Sequence, residues 1–318
     1  MPGLTSYHDT SVVVSATPSS LPGTQQTRFQ SKMKTLLESE LSDATYHVDL
    51  TTEDGILYAD PRIVEAVNDR LRPTFRALTS RGGSSATNPR FPAKAFSTES
   101  QSYHPLAHLL NKIIDTANPY IPRSQLRGLR FYVFRGEVKE TYGNHRGLKP
   151  AGVGIIGRLS NKTKKLVKMP AEDPGLSWGQ IEVTIESKSS IKDLVWQSAT
   201  YARCCLLSDQ RRFFSLGIGF DHKKLEVYVF VFHRAGLSSS RPLRVTTDVG
   251  FKGLVKHIVG ILSIKDEAAY GLDTTRFQEF FHINNRYYEI VRPLHMRCTV
   301  RGRSTIVYRL QGMHACGF

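Results

Sequence analysis

Glu186 and Lys188 stand two residues apart at the end of a stretch, Trp178 to Lys188, that alternates apolar and polar side chains. A spacing of two on a strand puts both on one face. An acid and a lysine held there suit the cutting of phosphodiesters. The acid shares a divalent cation with a second acid, and the amine orients water and steadies charge on the phosphate. From about Ile191 the pattern turns helical, through Leu194, Val195, Ala199, Ala202 and Leu206. Gln197 and Tyr201 lie four apart and project from one side of that helix, where a glutamine can steady the pair. The plainer reading makes Glu186 and Lys188 an exposed strand ion pair, and Trp196 and Tyr201 ordinary helix-to-sheet packing.

These residues need a strand and a helix to hold them. Alternation sets Ile181, Val183 and Ile185 on one face of the strand, and Glu182, Thr184, Glu186 and Lys188 on the other. Before it, helical spacing predicts helices over 28–41, from Asp60-Pro61 to near Pro73, and from Ser102 to Ala117. Strands are expected at 129–134 and 150–156. After it, strands at 213–220 and 225–232 are joined by Asp221-His222-Lys223-Lys224. A helix follows at 251–262, then strands at 287–291 and 305–310. The order predicts a mixed α/β fold, a central mixed sheet flanked by helices with an N-terminal helical extension.

Composition narrows the class. The 318 residues carry 43 Lys and Arg against 28 Asp and Glu, a formal net charge of +15. Such a balance suits a polyanionic partner such as nucleic acid, or simply a solvated basic surface. The basic loop with Lys162, Lys164, Lys165 and Lys168 is the candidate nucleic-acid contact. The N-terminus has no apolar secretory core, and no stretch is apolar enough to span a bilayer, so an intracellular protein without a membrane partner is expected. Cys204, Cys205, Cys298 and Cys316 form no Cys-x-x-Cys pair, and the adjacent two read as buried free thiols.

The Glu186-x-Lys188 strand with the Gln197-x-x-x-Tyr201 helix resembles the PD-(D/E)xK nuclease superfamily, the helical element its RecB-like branch. The resemblance implies an Asp on the preceding strand. That site reads Lys149-Pro150-Ala151, so Ala151 stands where the second metal ligand belongs. Asp173 lies in a Pro- and Gly-containing loop, and nothing in their spacing recruits Glu137 or Glu140. A nuclease-like scaffold without nuclease activity, and without a metal site, is the expectation.

A second resemblance covers roughly 100–310. Trp196-Gln197, Tyr201-Ala202-Arg203, Asp209-Gln210-Arg211-Arg212-Phe213, Phe232-His233-Arg234-Ala235-Gly236-Leu237 with Ser239, Gly271-Leu272-Asp273, and Gly302-Arg303-Ser304-Thr305 with Val307-Tyr308 occur in order. Together they resemble the basidiomycete fungal-type protein kinase family, in which a nuclease-like module precedes a kinase domain. The family's activity is serine/threonine phosphorylation, with ATP and Mg²⁺ as implied cofactors. Where the kinase lobe should begin, Arg301-Gly302-Arg303-Ser304-Thr305 has one glycine and makes no Gly-rich loop, and the strand lysine, His-Arg-Asp and Asp-Phe-Gly are missing. The expected organisation is a disordered 1–27, a helical preface 28–79, a loop insert 80–101, a nuclease-like module 102–291, and the truncated start of a kinase lobe at 292–318. The expected role is binding or regulation, with a kinase lobe, another protein or nucleic acid as partner.

Overall fold

The computed structural model describes residues 34–79, 98–122, 128–134, 136–138, 148–156, 176–209, 211–264, 269, 271–272, 276–277, 280–283, 286–296 and 306–312. Helix α1 (34–41) turns Leu37 and Leu41 inward and leads into the short strand β1 (Thr45–His47). Helix α2 (Pro61–Thr79) starts as the sequence indicates. Pro61 takes the first helical position, where its missing N–H costs nothing, and the Asp60 carboxylate accepts from Arg62 N at 2.9 Å. It does not stop at Pro73 but runs on to Thr79. Proline removes one helical hydrogen bond, but its own φ is helical, so a helix anchored by buried Val64, Val67 and Leu71 continues past it.

Helix α3 (Glu99–Ala117) begins three residues before Ser102, inside the expected insert 80–101. Glu99 in its first turn favours the positive end of the helix and is tied to Lys188, 89 residues away. Strands β2 (Leu129–Val133), β3 (Gly152–Ile156) and β4 (Ile181–Lys188) form an antiparallel meander. Helix α4 (Ile191–Ser208) carries the chain over to β5 (Phe214–Asp221), parallel to β4. Strand β6 (Glu226–His233) returns antiparallel through the expected hairpin, followed by β7 (Gly236–Ser239) and β8 (Leu243–Arg244). The sheet order is β1-β7-β6-β5-β4-β3-β2, with β8 beside β6. Helix α5 (Asp248–Leu262) starts at Thr247, whose hydroxyl accepts from Gly250 N at 3.1 Å.

Helices α2, α3 and α5 cover one face of the sheet, with Phe220, Val229, Val231, Leu254 and Ile258 in the main core. On the other face α1 and α4 close over Phe230, Phe232 and Leu237, and α4 over Ile181 and Trp178. Each such large apolar side chain contributes about 1.5–3 kcal/mol when fully buried. Residues of the expected preface, Leu57, Val64 and Val67 among them, belong to this same main core, and β1 belongs to the same sheet. The turn between β6 and β7 depends on Gly236, at φ +139°, where a Cβ would meet Ala44 O at 2.2 Å. That close approach lets Ala44 O accept from Leu237 N at 2.8 Å and seats β1 on the sheet. At the opposite edge Asn111 covers Phe131 of β2: its Nδ2 donates to Phe131 O at 2.7 Å and its Oδ1 accepts from Phe131 N at 3.0 Å.

A second, four-stranded antiparallel sheet holds β9 (Arg276–Phe277), β10 (Phe280–Ile283), β11 (Arg286–Met296) and β12 (Ile306–Gly312). The expected boundary at 291 falls inside β11. No helix among the described residues is long and apolar enough to cross a membrane.

Candidate functional site

The β3–β4 pairing slips by one residue between Gly154 and Ile155, and β4 matches them with Val183 and Ile181. Glu182 is thus the extra residue of a β-bulge, and a bulge re-aims the side chains beside it. The expected common face of Ile181, Val183 and Ile185 is therefore broken. Ile181 packs with Trp178 under α4, whereas Val183 and Ile185 join the main core on the other side. Past the bulge, Thr184 and Glu186 point toward α4.

Glu186 is only 2% exposed. The exposed ion pair is therefore corrected: α4 covers the polar face, so the strand is buried on both sides for most of its length. Tyr201, fully buried and stacked on Trp178 with ring centroids 5.6 Å apart, approaches Glu186 Oε2 at 2.7 Å. The same phenol lies 2.9 Å from Lys149 O and accepts from Gln197 Nε2 at 2.8 Å. A phenol has one hydrogen. With Glu186 ionised, that hydrogen goes to the carboxylate. With Glu186 protonated, the carboxyl can donate to the phenol and the phenol to Lys149 O. The cluster thus fits either state.

Glu186 Oε1 accepts from Ser187 N at 2.9 Å and faces Lys188 Nζ at 3.3 Å. The same amine lies 2.7 Å from Glu99 Oε1 on α3, which also accepts from Tyr103 OH at 2.6 Å. Ser102 Oγ and Ser187 Oγ, 2.7 Å apart, tie the two elements again. Burial pushes the Glu186 pKa up, only partly offset by Lys188, Tyr201 and the Ser187 amide. Burial would lower Lys188, but the two carboxylates outweigh it and raise its pKa. Burial also raises Tyr201 and Tyr103, helped by the adjacent acids.

Glu186, Lys188, Gln197 and Tyr201 are thus brought together as their spacing suggests. Glu99 escaped the sequence reading. Only its place in the first turn of a helix, three residues before the expected start, hinted at it. The register places Gly152 opposite Ile185, so one residue further Ala151 faces Glu186, where the resemblance puts the second acid. Ala151 is buried and offers no side-chain ligand. Glu137 pairs instead with Lys149 Nζ at 3.2 Å. Lys162, Lys164, Lys165, Lys168, Glu140 and Asp173 lie outside the described residues.

A divalent cation does not fit this donor set. The second acid is an alanine, and both carboxylates already face the Lys188 ammonium. Among the described residues no group of three or more His, Cys, Asp or Glu side chains could hold a metal.

The residues that carry the kinase-family resemblance do structural work here. Asp209 caps α4 and holds Arg211 through Nε at 3.0 Å and Nη2 at 2.8 Å. Buried Arg212 donates to Ile181 O at 3.0 Å and Gly179 O at 2.8 Å, fastening the entry to β4. Gly271, at φ +75°, receives Phe213 N at 2.7 Å, and a Cβ there would meet the Phe214 ring at 2.2 Å. His233 accepts from Ala235 N at 3.2 Å within the β6–β7 turn.

Fold and site define a mixed α/β protein with a central eight-stranded sheet and a buried acid–lysine cluster at the end of β4. The family model for fungal protein kinases matches residues 159–315, just under half of the chain, and supports placing it in that family. The match begins ahead of β4 and runs through β12, leaving Glu99, Lys149 and Ala151 outside it. No curated protein and no solved structure matches the chain.

Proposed function

We propose that this chain is a non-catalytic binding module of a fungal protein kinase, built on a nuclease-like core whose cutting centre has become an internal ion-pair lock. One observation carries the reading: Lys188 Nζ lies 2.7 Å from Glu99 and 3.3 Å from Glu186, while Ala151 takes the place of the second acid. The order α3–β2–β3–β4–α4–β5, with β4 and β5 parallel around a crossover helix, supports the nuclease-like part. The absence of His-Arg-Asp and Asp-Phe-Gly from the 318 residues supports the non-catalytic part, and the Gly-x-Gly-x-x-Gly run at 152–157 is no nucleotide loop, because Gly152–Ile156 is strand β3, paired between β2 and β4.

The test is to incubate the purified chain with radiolabelled ATP, Mg²⁺ and a generic protein substrate, and separately with plasmid DNA and Mn²⁺. Neither phosphate transfer nor strand cleavage is expected. Cleavage abolished by Glu186→Gln would show the lock to be a working metal site, and phosphate transfer would restore the kinase activity. A second reading, nucleic-acid binding, has the net charge of +15 in its favour. It requires binding that weakens steeply with salt, because released counterions drive it. DNA and RNA titrations at low and high salt distinguish the two, since absence of binding at low salt removes the second.

A further inference from the structure

The stretch 38–60 runs against the character of the chain. It holds Glu38, Glu40, Asp43, Asp49, Glu53, Asp54 and Asp60 and no lysine or arginine. All 43 basic residues and only three quarters of the 28 acids lie elsewhere. The same stretch contains four exposed large apolar side chains: Tyr46 at 47%, Val48 at 40%, Ile56 at 37% and Tyr58 at 41%. Only four more such residues occur among all the other described positions. Leu57 N donates to Leu50 O at 2.9 Å, closing the loop so that Tyr58 returns beside the exit of β1.

Among the described residues β1 is the terminal strand of the central sheet, and Thr45, Tyr46 and His47 are all exposed. Its pairing to β7 engages Ala44 O and Val48 N through bonds to Leu237 and Ser239. In a parallel ladder alternate residues bond to alternate sides, so Thr45 and His47 direct their N–H and C=O groups outward. An open ladder edge, flanked by apolar side chains and rimmed by acids, is the surface that strand addition uses. At the N-terminal end of β1 it continues into a groove of about 430 Å³ between α1 and α4, lined by Leu41, Thr45, Val195 and Trp196.

We propose that this edge is a docking surface for a basic, extended polypeptide segment. The segment adds as a strand beside β1, sets its apolar side chains on Tyr46 and Val48, and meets the acidic rim with its lysines or arginines. Glu38, Asp49 and Asp60 already pair with Lys192, Lys256 and Arg62, so the exposed Glu53 and Asp54 of the loop after β1 supply the charge that favours this occupant over an acidic peptide or a nucleic acid. The edge lies four strands from β4, roughly 19 Å at the usual strand spacing. The proposal therefore does not rest on the silence of the Glu186 centre.

The test uses the full chain and fluorescein-labelled peptides of alternating lysine and valine, glutamate and valine, or lysine and proline. Anisotropy is expected to report binding of the lysine–valine peptide alone, because proline cannot donate to the ladder. Tyr46→Ser with Val48→Ser should weaken it at least about tenfold, as truncation of central apolar anchors does. Val249→Ser, at a position 85% exposed, should leave it unchanged. Hydrogen exchange should slow at residues 45–47 when peptide is bound. Equal binding of all three peptides, or equal binding by the double variant, would overturn the proposal. So would a dimer in sedimentation that the double variant abolishes, which would assign the edge to self-pairing.

Discussion

The end of β4 and the edge at β1 use similar residues, acids and aromatic rings, in opposite ways. At β4 every member of the cluster is answered from within. Glu186 has Tyr201, Lys188 and the Ser187 amide, Glu99 has Lys188 and Tyr103, and Tyr201 stacks on Trp178. At β1, Tyr46 and Tyr58 face water, as do Glu53 and Asp54. Much of its rim is paired, Glu38 with Lys192, Asp49 with Lys256 and Asp60 with Arg62, but among the described residues the apolar centre is exposed. Residue type alone does not mark a binding site. What separates the two regions is whether the fold supplies the partners itself.

The largest break in that contrast should come from Lys188→Met. It leaves Glu186 buried without its cation and should lower the unfolding free energy by about 3–5 kcal/mol, read by urea denaturation. Adding Glu186→Gln should recover most of it. A loss below about 1 kcal/mol, within the range of surface pairs, would mean the cluster is not closed. Next comes Gly236→Ala, which forces a side chain into a positive-φ position and against Ala44 O. It should cost about 2–3 kcal/mol, from backbone strain and displaced packing together. Hydrogen exchange should locate the loosening at 44–48, because that contact seats β1.

Acid titration sharpens the comparison differently. Buried His257 gives its Nδ1 hydrogen to Gly253 O at 2.7 Å, and its Nε2 has no hydrogen-bond partner. Burial lowers its pKa below 6.5, against the pull of the Gly253 carbonyl and Asp49 and with the push of Lys256. The unfolded chain then takes up the proton first. The stability His257 confers is full above pH 6.5 and is lost as pH falls toward the lowered value. Glu186 has the opposite sign: its pKa is raised above 4.5, so the cost of ionising it is present at higher pH and fades as pH falls through the raised value toward 4.5. His257→Gln should flatten the loss of stability just below pH 6.5, while Glu186→Gln should leave that slope in place. Denaturant midpoints across this range decide. The smallest effect belongs to the edge itself. Tyr46→Ser should change stability by no more than about 0.5 kcal/mol, as exposed substitutions do, while lowering peptide binding.

Local signals were readable. The hairpin at Asp221–Lys224, the helix over Leu194 to Leu206, and the pairing of Gln197 with Tyr201 follow from spacing within a few residues. Contacts decided the rest. The bulge at Glu182 comes from pairing with β3 and cannot be seen in the alternation of β4. Glu99 reaches Lys188 only because α3 packs across the sheet, and β1 becomes a strand only because Gly236 admits Ala44. The polar face of β4 reads as solvent-facing until α4 is laid over it. The stretch that the family model matches includes residues such as Arg212 and Gly271, which hold turns and strand ends in place.

The Asn111 amide on β2 has a further consequence. One donor and one acceptor set against a single residue's N–H and C=O imitate one link of a neighbouring strand and end the ladder there. Among the described residues the central sheet therefore ends at a side chain on one side and at β1, the edge proposed to take a strand, on the other. Under the strand addition proposed for β1, Asn111 keeps the Phe131 position of β2 from taking a second strand.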